Sequence, residues 1–195
     1  MKKIIFLDVD ETLTTPEYTN QCASQGIKGK ELAESLDPSC LRLIERLCQE
    51  TNAEVVIISD WRRNEEPITK RLKRLGLNVK FFKDPVTIIT NKPDRRFEIF
   101  DFLRKHKDEI DSFVIIDDDP YKKTVHPFLA EHHVRAVTGE AEFDESTDSY
   151  QYFNYGLREH HYKPALDILN TPWRDPNLGS PPPESPPKTP PSWSR

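Results

Sequence analysis

The sequence predicts an α/β fold on three observations. Short apolar runs at Ile4–Leu7, Val55–Ile58 and Phe113–Ile116 show no polar alternation, which is the pattern of strands buried on both faces. Segments with apolar residues at helical spacing lie between them. Each run also ends abruptly in polar groups: Asp8 and Asp10, then Ser59, then Asp117-Asp118-Asp119. Open α/β sheets bind their ligands at the carboxyl ends of their strands, so these groups are the candidate site.

The elements follow in chain order. Side chains two apart on an extended segment point to the same side, so Asp8 and Asp10 can converge beyond the first strand. From Thr15 to about Glu34 the chain is polar and lacks sustained periodicity, which predicts a flap or loop over the sheet edge. Asp37-Pro38 reads as the N-cap and first residue of an amphipathic helix running to about Glu50, with Leu41, Ile44, Leu47 and Cys48 at helical spacing. Cys40 and Cys48 read as buried helix residues rather than redox groups.

Glu65 to Leu75 suits a helix with Ile68, Leu72 and Leu75 on one face and Lys70, Arg71, Lys73 and Arg74 around the others, a solvated basic surface closed by Gly76. Val79–Phe82 reads as a further strand. Asn91 to Ile99 leads into a helix whose core side is Ile99, Phe102 and Leu103. Beyond the acidic cluster, Val134–Val137 reads as a strand, 138–150 as an acidic loop and Leu157–Leu169 as a closing helix.

From Asp175 onward the chain is Pro-rich and predicts a disordered segment of polyproline II character. Nine of the 17 prolines follow Thr171, which divides the chain into a domain at 1–170 and a tail at 171–195. Pro183 to Pro186 and Pro187 to Pro190 each satisfy PxxP, a ligand pattern for SH3 or WW modules, although a plain flexible tail or linker explains them more simply.

Composition narrows the function. A net charge of −5 argues against a general nucleic-acid binder, and no clear nucleic-acid-binding motif is present. Three cysteines form neither CxxC nor a paired framework, and none of the six histidines stands in a zinc spacing. The apolar run after Met1-Lys2-Lys3 stops at Asp8, too short for a signal-peptide core, and no segment reaches the roughly 18 apolar residues that cross a bilayer. A cytoplasmic protein without a membrane segment is expected.

Asp8-Val9-Asp10-Glu11-Thr12 resembles the DxDx(T/V) signature of haloacid dehalogenase (HAD) superfamily phosphatases. Ser59-Asp60-Trp61-Arg62 is similar to the S-x-W-R form of a small capless group that includes RNA-repair-associated domains, and Asp117-Asp118 matches the DD form of the fourth motif. The resemblance covers about residues 1 to 140. It implies a three-layer α/β/α Rossmann-like sandwich with a mostly parallel sheet. Only about forty residues separate the first two motifs and about thirty separate Ser59 from Lys92, which leaves no room for a large cap domain.

The resemblance also implies roles. Asp8 is the nucleophile, Asp10 the general acid and base, and Ser59 a donor to the transferring phosphoryl group. Lys92 is the third-motif cation, with Arg95 or Arg96 as alternatives. Arg62 binds phosphate oxygens. Asp8, Asp117, Asp118 and the Asp10 backbone carbonyl hold Mg²⁺, with Asp118 the direct ligand of the DD pair and Asp117 its support. The implied activity is a Mg²⁺-dependent phosphomonoester hydrolase with an aspartyl-phosphate intermediate. Its expected substrate is a phosphorylated macromolecule, a phosphoprotein (including phosphotyrosine) ahead of a polynucleotide end. A non-catalytic binding module that recruits partners through its tail is the alternative class.

Overall fold

Strand β1 (Lys2–Leu7) lies in the middle of the sheet, and the other elements are arranged around it in this computed structural model. The structure describes residues 1–63, 66–87, 94–119, 127–137, 142–144, 149–151 and 156–173. After β1 come α1 (Pro16–Ser24), α2 (Gly29–Ala33), α3 (Pro38–Thr51), β2 (Glu54–Ile57), α4 (Ile68–Arg74) and β3 (Phe82–Thr87). They are followed by α5 (Arg95–His106), β4 (Ile110–Asp117), α6 (Pro127–Glu131), β5 (His133–Arg135), β6 (Glu142–Asp144), β7 (Ser149–Gln151) and α7 (Glu159–Leu169). The main sheet has the order β3-β2-β1-β4-β5, and every pairing in it is parallel.

Period-2 alternation splits each central strand between two helical layers. Ile5, Leu7, Val55, Ile57, Val114 and Ile116 pack with apolar residues of α3, α4 and α7. Ile4, Phe6, Val56, Ile58, Phe113 and Ile115 pack with those of α5 and α6. The result is the α/β/α sandwich, with both faces of the sheet dry. The Phe6 ring stands edge-on to Phe102 at 5.5 Å between centroids, a geometry aromatic pairs favour. Trp173 continues this layer past α7, its Nε1–H donating to the Ile110 carbonyl at 3.1 Å and its ring edge-on to Phe113. No large cap domain is present among the described residues, and no described helix is long and apolar enough to cross a membrane.

Local chemistry sets the helix starts. Asp37 Oδ1 accepts the Ser39 N–H at 2.8 Å with Pro38 in the first turn of α3, and Asp94 Oδ1 accepts the Arg96 N–H at 2.9 Å at the start of α5. Gly76, at φ +98°, follows α4 as a left-handed terminator. Cys22, Cys40 and Cys48 are all buried free thiols. Burial, reinforced by Asp37, pushes the Cys40 thiol up to about 11, and burial, then Glu45, pushes Cys48 to about 12. Neither is a thiolate at neutral pH, as the packing role requires.

Four expectations are corrected. The polar stretch after Thr14 is not a loop, because it folds into α1 and α2. Only Cys22 of α1 is buried, so periodicity is weak; capping holds this helix instead, with Thr15 Oγ1 accepting the Tyr18 N–H at 3.2 Å and Pro16 in the first turn. The strand placed at Val79–Phe82 is displaced: 79–81 form a 3₁₀ turn and β3 begins at Phe82. β3 contains Asp84-Pro85, which looks like a turn, but its place at the sheet's edge tolerates proline. Within the acidic stretch 138–150, β6 and β7 form an antiparallel pair with Phe143 opposite Tyr150, a non-local pairing that acidic composition does not report. Finally, Arg71 is only 7% exposed rather than part of a solvated basic face. It lies three residues after Ile68 and one before Leu72, on the inner side of α4.

Lys92 and the Pro-rich segment from Asp175 onward lie outside the described residues.

Candidate active site

The site is assembled by the sheet register. Leu7 of β1 stands beside Ile57 of β2 and Ile116 of β4, so the residues that follow each strand emerge side by side at the carboxyl edge. The ladder runs one step further, with the Asp8 N–H donating to the Ile116 carbonyl at 3.0 Å and the Ile58 N–H to the Leu7 carbonyl at 2.9 Å. Asp8 and Asp117 are thereby held by backbone pairing, and Ser59 directly follows the paired Ile58.

After Asp8 the chain turns tightly. Leu13 and Thr14 both donate their N–H to the Val9 carbonyl, at 2.8 and 3.1 Å, and Thr12 donates to the Asp10 carbonyl at 2.6 Å. Glu11 adopts a left-handed φ of 53°, unusual for a side-chain-bearing residue, and Thr14 Oγ1 accepts its N–H at 2.9 Å. The turn buries Asp8 and leaves Asp10 exposed on the rim.

Asp8, Asp117 and Asp118 each offer an oxygen within 4.8 Å of the others. Burial and then Asp117 hold the Asp8 carboxyl well above the usual carboxylate range, against the lowering pull of Arg95. Burial and then Asp117 push the Asp118 carboxyl up to about 7. Three carboxylates this close repel one another unless a proton or a cation lies between them. An all-oxygen donor set of this charge suits a hard divalent cation such as Mg²⁺. The Asp10 backbone carbonyl, the fourth expected ligand, accepts the Thr12 N–H and keeps a second lone pair.

A cation already belongs to the fold here. Arg95, the first residue of α5, places Nη1 at 2.8 Å from Asp8 Oδ1 and at 3.1–3.2 Å from both oxygens of Asp117. Arg96 turns away and pairs with Asp94, from Nε at 2.8 Å and Nη2 at 2.7 Å. Of the three cations named from the sequence, Arg95 is the one that the described residues bring to the acidic cluster.

Ser59 is fully buried, and its Oγ accepts the Trp61 N–H at 3.3 Å. Trp61 then reaches across to the first motif, its Nε1–H donating to Asp10 Oδ1 at 2.7 Å. Arg62 lies on the same 3₁₀ turn, Asp60–Arg63, but its side chain is outside the described set.

Sequence reasoning assigned no role to Trp61 and missed Glu34 and Arg71 behind it. The signal for Arg71 was its position among Ile68, Leu72 and Leu75. Glu34 left none, because only the tertiary fold carries it to α4.

Residues 4–141 match the family described as the HAD domain in Swiss Army Knife RNA repair proteins. The chain belongs to this family. The match takes in β1 from Ile4 and the whole of β2 to β5, so the first, second and fourth motifs all fall within it. Neither the curated proteins nor the solved structures contain a match to the chain. Membership in the HAD superfamily supports a phosphatase-like hydrolase in general terms.

Proposed function

We propose that this HAD domain is a Mg²⁺-dependent phosphomonoester hydrolase acting on the phosphorylated end of a polynucleotide. The convergence of Asp8, Asp117 and Asp118 within 4.8 Å, with Arg95 against two of them, carries the catalytic part of the reading. The family's description with RNA repair proteins favours a nucleic-acid end over the phosphoprotein that the acidic composition suggested. The small helical insert between β1 and β2 supports an open site suited to a macromolecule.

The roles follow from charge and position. Asp8, Asp117, Asp118 and the Asp10 carbonyl would hold Mg²⁺, which when bound offsets the repulsion between a carboxylate nucleophile and a phosphate dianion. Arg95 adds a permanent positive charge beside the nucleophile. Asp8 attacks phosphorus and becomes an aspartyl-phosphate as the bond to the leaving oxygen breaks. Asp10, on the rim, gives that oxygen a proton, then takes one from the water that hydrolyses the intermediate. The Ser59 hydroxyl donates to a phosphoryl oxygen while accepting from Trp61. Arg62, and Lys92 together with Arg95, bind the remaining phosphate charge.

The test is phosphate release from 3′- and 5′-phosphorylated oligonucleotides, phosphotyrosine, phosphoserine and phosphothreonine peptides, and p-nitrophenyl phosphate, with Mg²⁺ or with EDTA. Magnesium-dependent release that is fastest on an oligonucleotide end, and lost in Asp8→Asn with the fold intact, is the expected result. Full activity of Asp8→Asn sinks the mechanism. Preference for a phosphopeptide moves the substrate to phosphoproteins, and no release from any substrate by folded, metal-loaded protein favours a binding module.

A further inference from the structure

Beyond the acidic cluster, the described residues hold a continuous chain of contacts that runs from buried Glu34 to a reacting group on the rim. Glu34, the residue after α2, is only 3% exposed and pairs through Oε1 with Arg71 Nη2 at 3.1 Å. Arg74 Nη2 donates to Glu34 Oε2 at 3.0 Å. The Arg71 guanidinium stacks on the Trp61 indole, with its central carbon 3.6 Å from the ring centroid. Trp61 is itself only 6% exposed, and its one polar hydrogen points to Asp10 Oδ1 at 2.7 Å.

A buried arginine and glutamate with no role of their own are costly features to keep. Their geometry here explains what they do. The carboxylate attracts the cation, and the planar cation lies over the indole face. The clamped indole directs its N–H at Asp10 Oδ1.

We propose that Trp61 is the positioning residue for Asp10, held in place by the Arg71–Glu34 pair. This rests on the reading of Asp10 as general acid and base. Asp10 sits on an exposed turn, where its carboxylate is free to rotate unless something holds it. The indole N–H takes Oδ1 and leaves Oδ2 as the oxygen that carries the proton. Two successive steps need that oxygen in place. In the first, Asp8 attacks phosphorus, the bond to the leaving oxygen breaks, and Asp10 gives the departing oxygen its proton. In the second, water attacks phosphorus, Asp10 takes the water's proton, and the bond from phosphorus to Asp8 breaks. Because Glu34 belongs to the insert between β1 and β2, this chain also ties the orientation of Asp10 to that insert.

Trp61→Phe tests the proposal, since it keeps an aromatic ring under Arg71 and removes the donor. The step from p-nitrophenyl phosphate needs no acid, because p-nitrophenolate departs without a proton, whereas the water step still needs Asp10. The variant with Mg²⁺ is expected to release a burst of about one p-nitrophenolate per enzyme, followed by steady turnover slowed about 100-fold, with KM falling by the same factor so that kcat/KM stays within about twofold of wild type. On a 5′-phosphorylated oligonucleotide, where the leaving oxygen needs a proton, the burst disappears and kcat falls by a similar factor. Arg71→Gln frees the indole and is expected to show the same pattern with a loss of about 10-fold; it carries the test if Trp61→Phe does not fold.

Wild-type rates in both variants, a loss without a burst, or a rise in KM at constant kcat overturns the proposal. Asp10→Asn separates the two levels. If it is impaired while both variants match wild type, only the role of Trp61 fails. If wild type releases no phosphate from any substrate, the hydrolase reading fails and takes this proposal with it.

Discussion

Asp118→Asn should make the metal-free protein more stable while weakening its use of magnesium. Burial, then Asp117, Asp119 and Glu11, holds the Asp118 carboxyl near 7 instead of the ordinary 3.8. A gap of that size corresponds to about 4 kcal/mol between the charged and neutral forms, and solvent at this half-buried group reduces it to about 1–2 kcal/mol. The sign follows from proton counts. A raised carboxylate pKa means that the folded state binds more protons, so stability is lost as pH rises from 3.8 through about 7. At pH 8 the folded metal-free protein carries the whole repulsion, and asparagine removes it. The Arg135 Nε–H donates to the Asp118 backbone carbonyl at 2.9 Å, so this contact survives the substitution.

The assay is a thermal melt at pH 8 and at pH 5, in EDTA and in Mg²⁺. In EDTA at pH 8 the variant is expected to melt about 2–8 °C above wild type, and the gain should shrink at pH 5, where Asp118 is already neutral in the folded state. Mg²⁺ at ten times its Kd should stabilise wild type by about 1.4 kcal/mol and the variant far less. A variant that melts below wild type in EDTA at pH 8 refutes the stored repulsion. Equal stabilisation of both proteins by Mg²⁺ refutes Asp118 as a ligand.

Two further predictions concern the fold that carries the site. His161 is 7% exposed, and its Nδ1 accepts the Arg158 N–H at 2.9 Å, which requires a neutral ring. Burial, then His160, lowers its pKa from 6.5 to about 4, so stability present above pH 6.5 is lost as pH falls toward 4, by up to about 3 kcal/mol. His161→Gln should flatten that limb in urea unfolding at several pH values, and an unchanged limb assigns the loss to other groups. Asp37 joins three elements, accepting from Ser39 at α3, from Thr15 Oγ1 at 3.0 Å and from Arg158 Nη1 at 3.1 Å. Asp37→Ala should cost about 2–3 kcal/mol and lower Tm by roughly 4–12 °C, with Asp37→Asn retaining part of it; a change within 1 °C contradicts this role.

The chemistry of the site was legible along the chain because each strand hands its reactive residue to the same edge. An apolar run followed by Asp8 and Asp10, by Ser59, or by Asp117 and Asp118 is a local pattern, and parallel pairing converts three local patterns into one place. The cap at Asp37 was equally local, being one side chain and the next turn of backbone. The fold class follows from the same signals, since strands without polar alternation require cover on both faces.

Other features depended on partners far away in sequence. α1 buries little and is held by its cap and by contacts from Thr15 to Asp37 and from Glu17 to Arg158, so its own composition looked like a loop. β3 accommodates Pro85 only because it is an edge, a property of sheet order rather than of the strand. Arg95, rather than Arg96, faces Asp8 because the Asp94 cap captures its neighbour and the helix turn aims the other way. The contacts from Glu34 through Arg71 and Trp61 to Asp10 join residues far apart in sequence, and only the burial of Arg71 had a local signal. A charged pair is inexpensive to bury only where packing has already removed water and supplied its partner, and that is a property of the assembled fold.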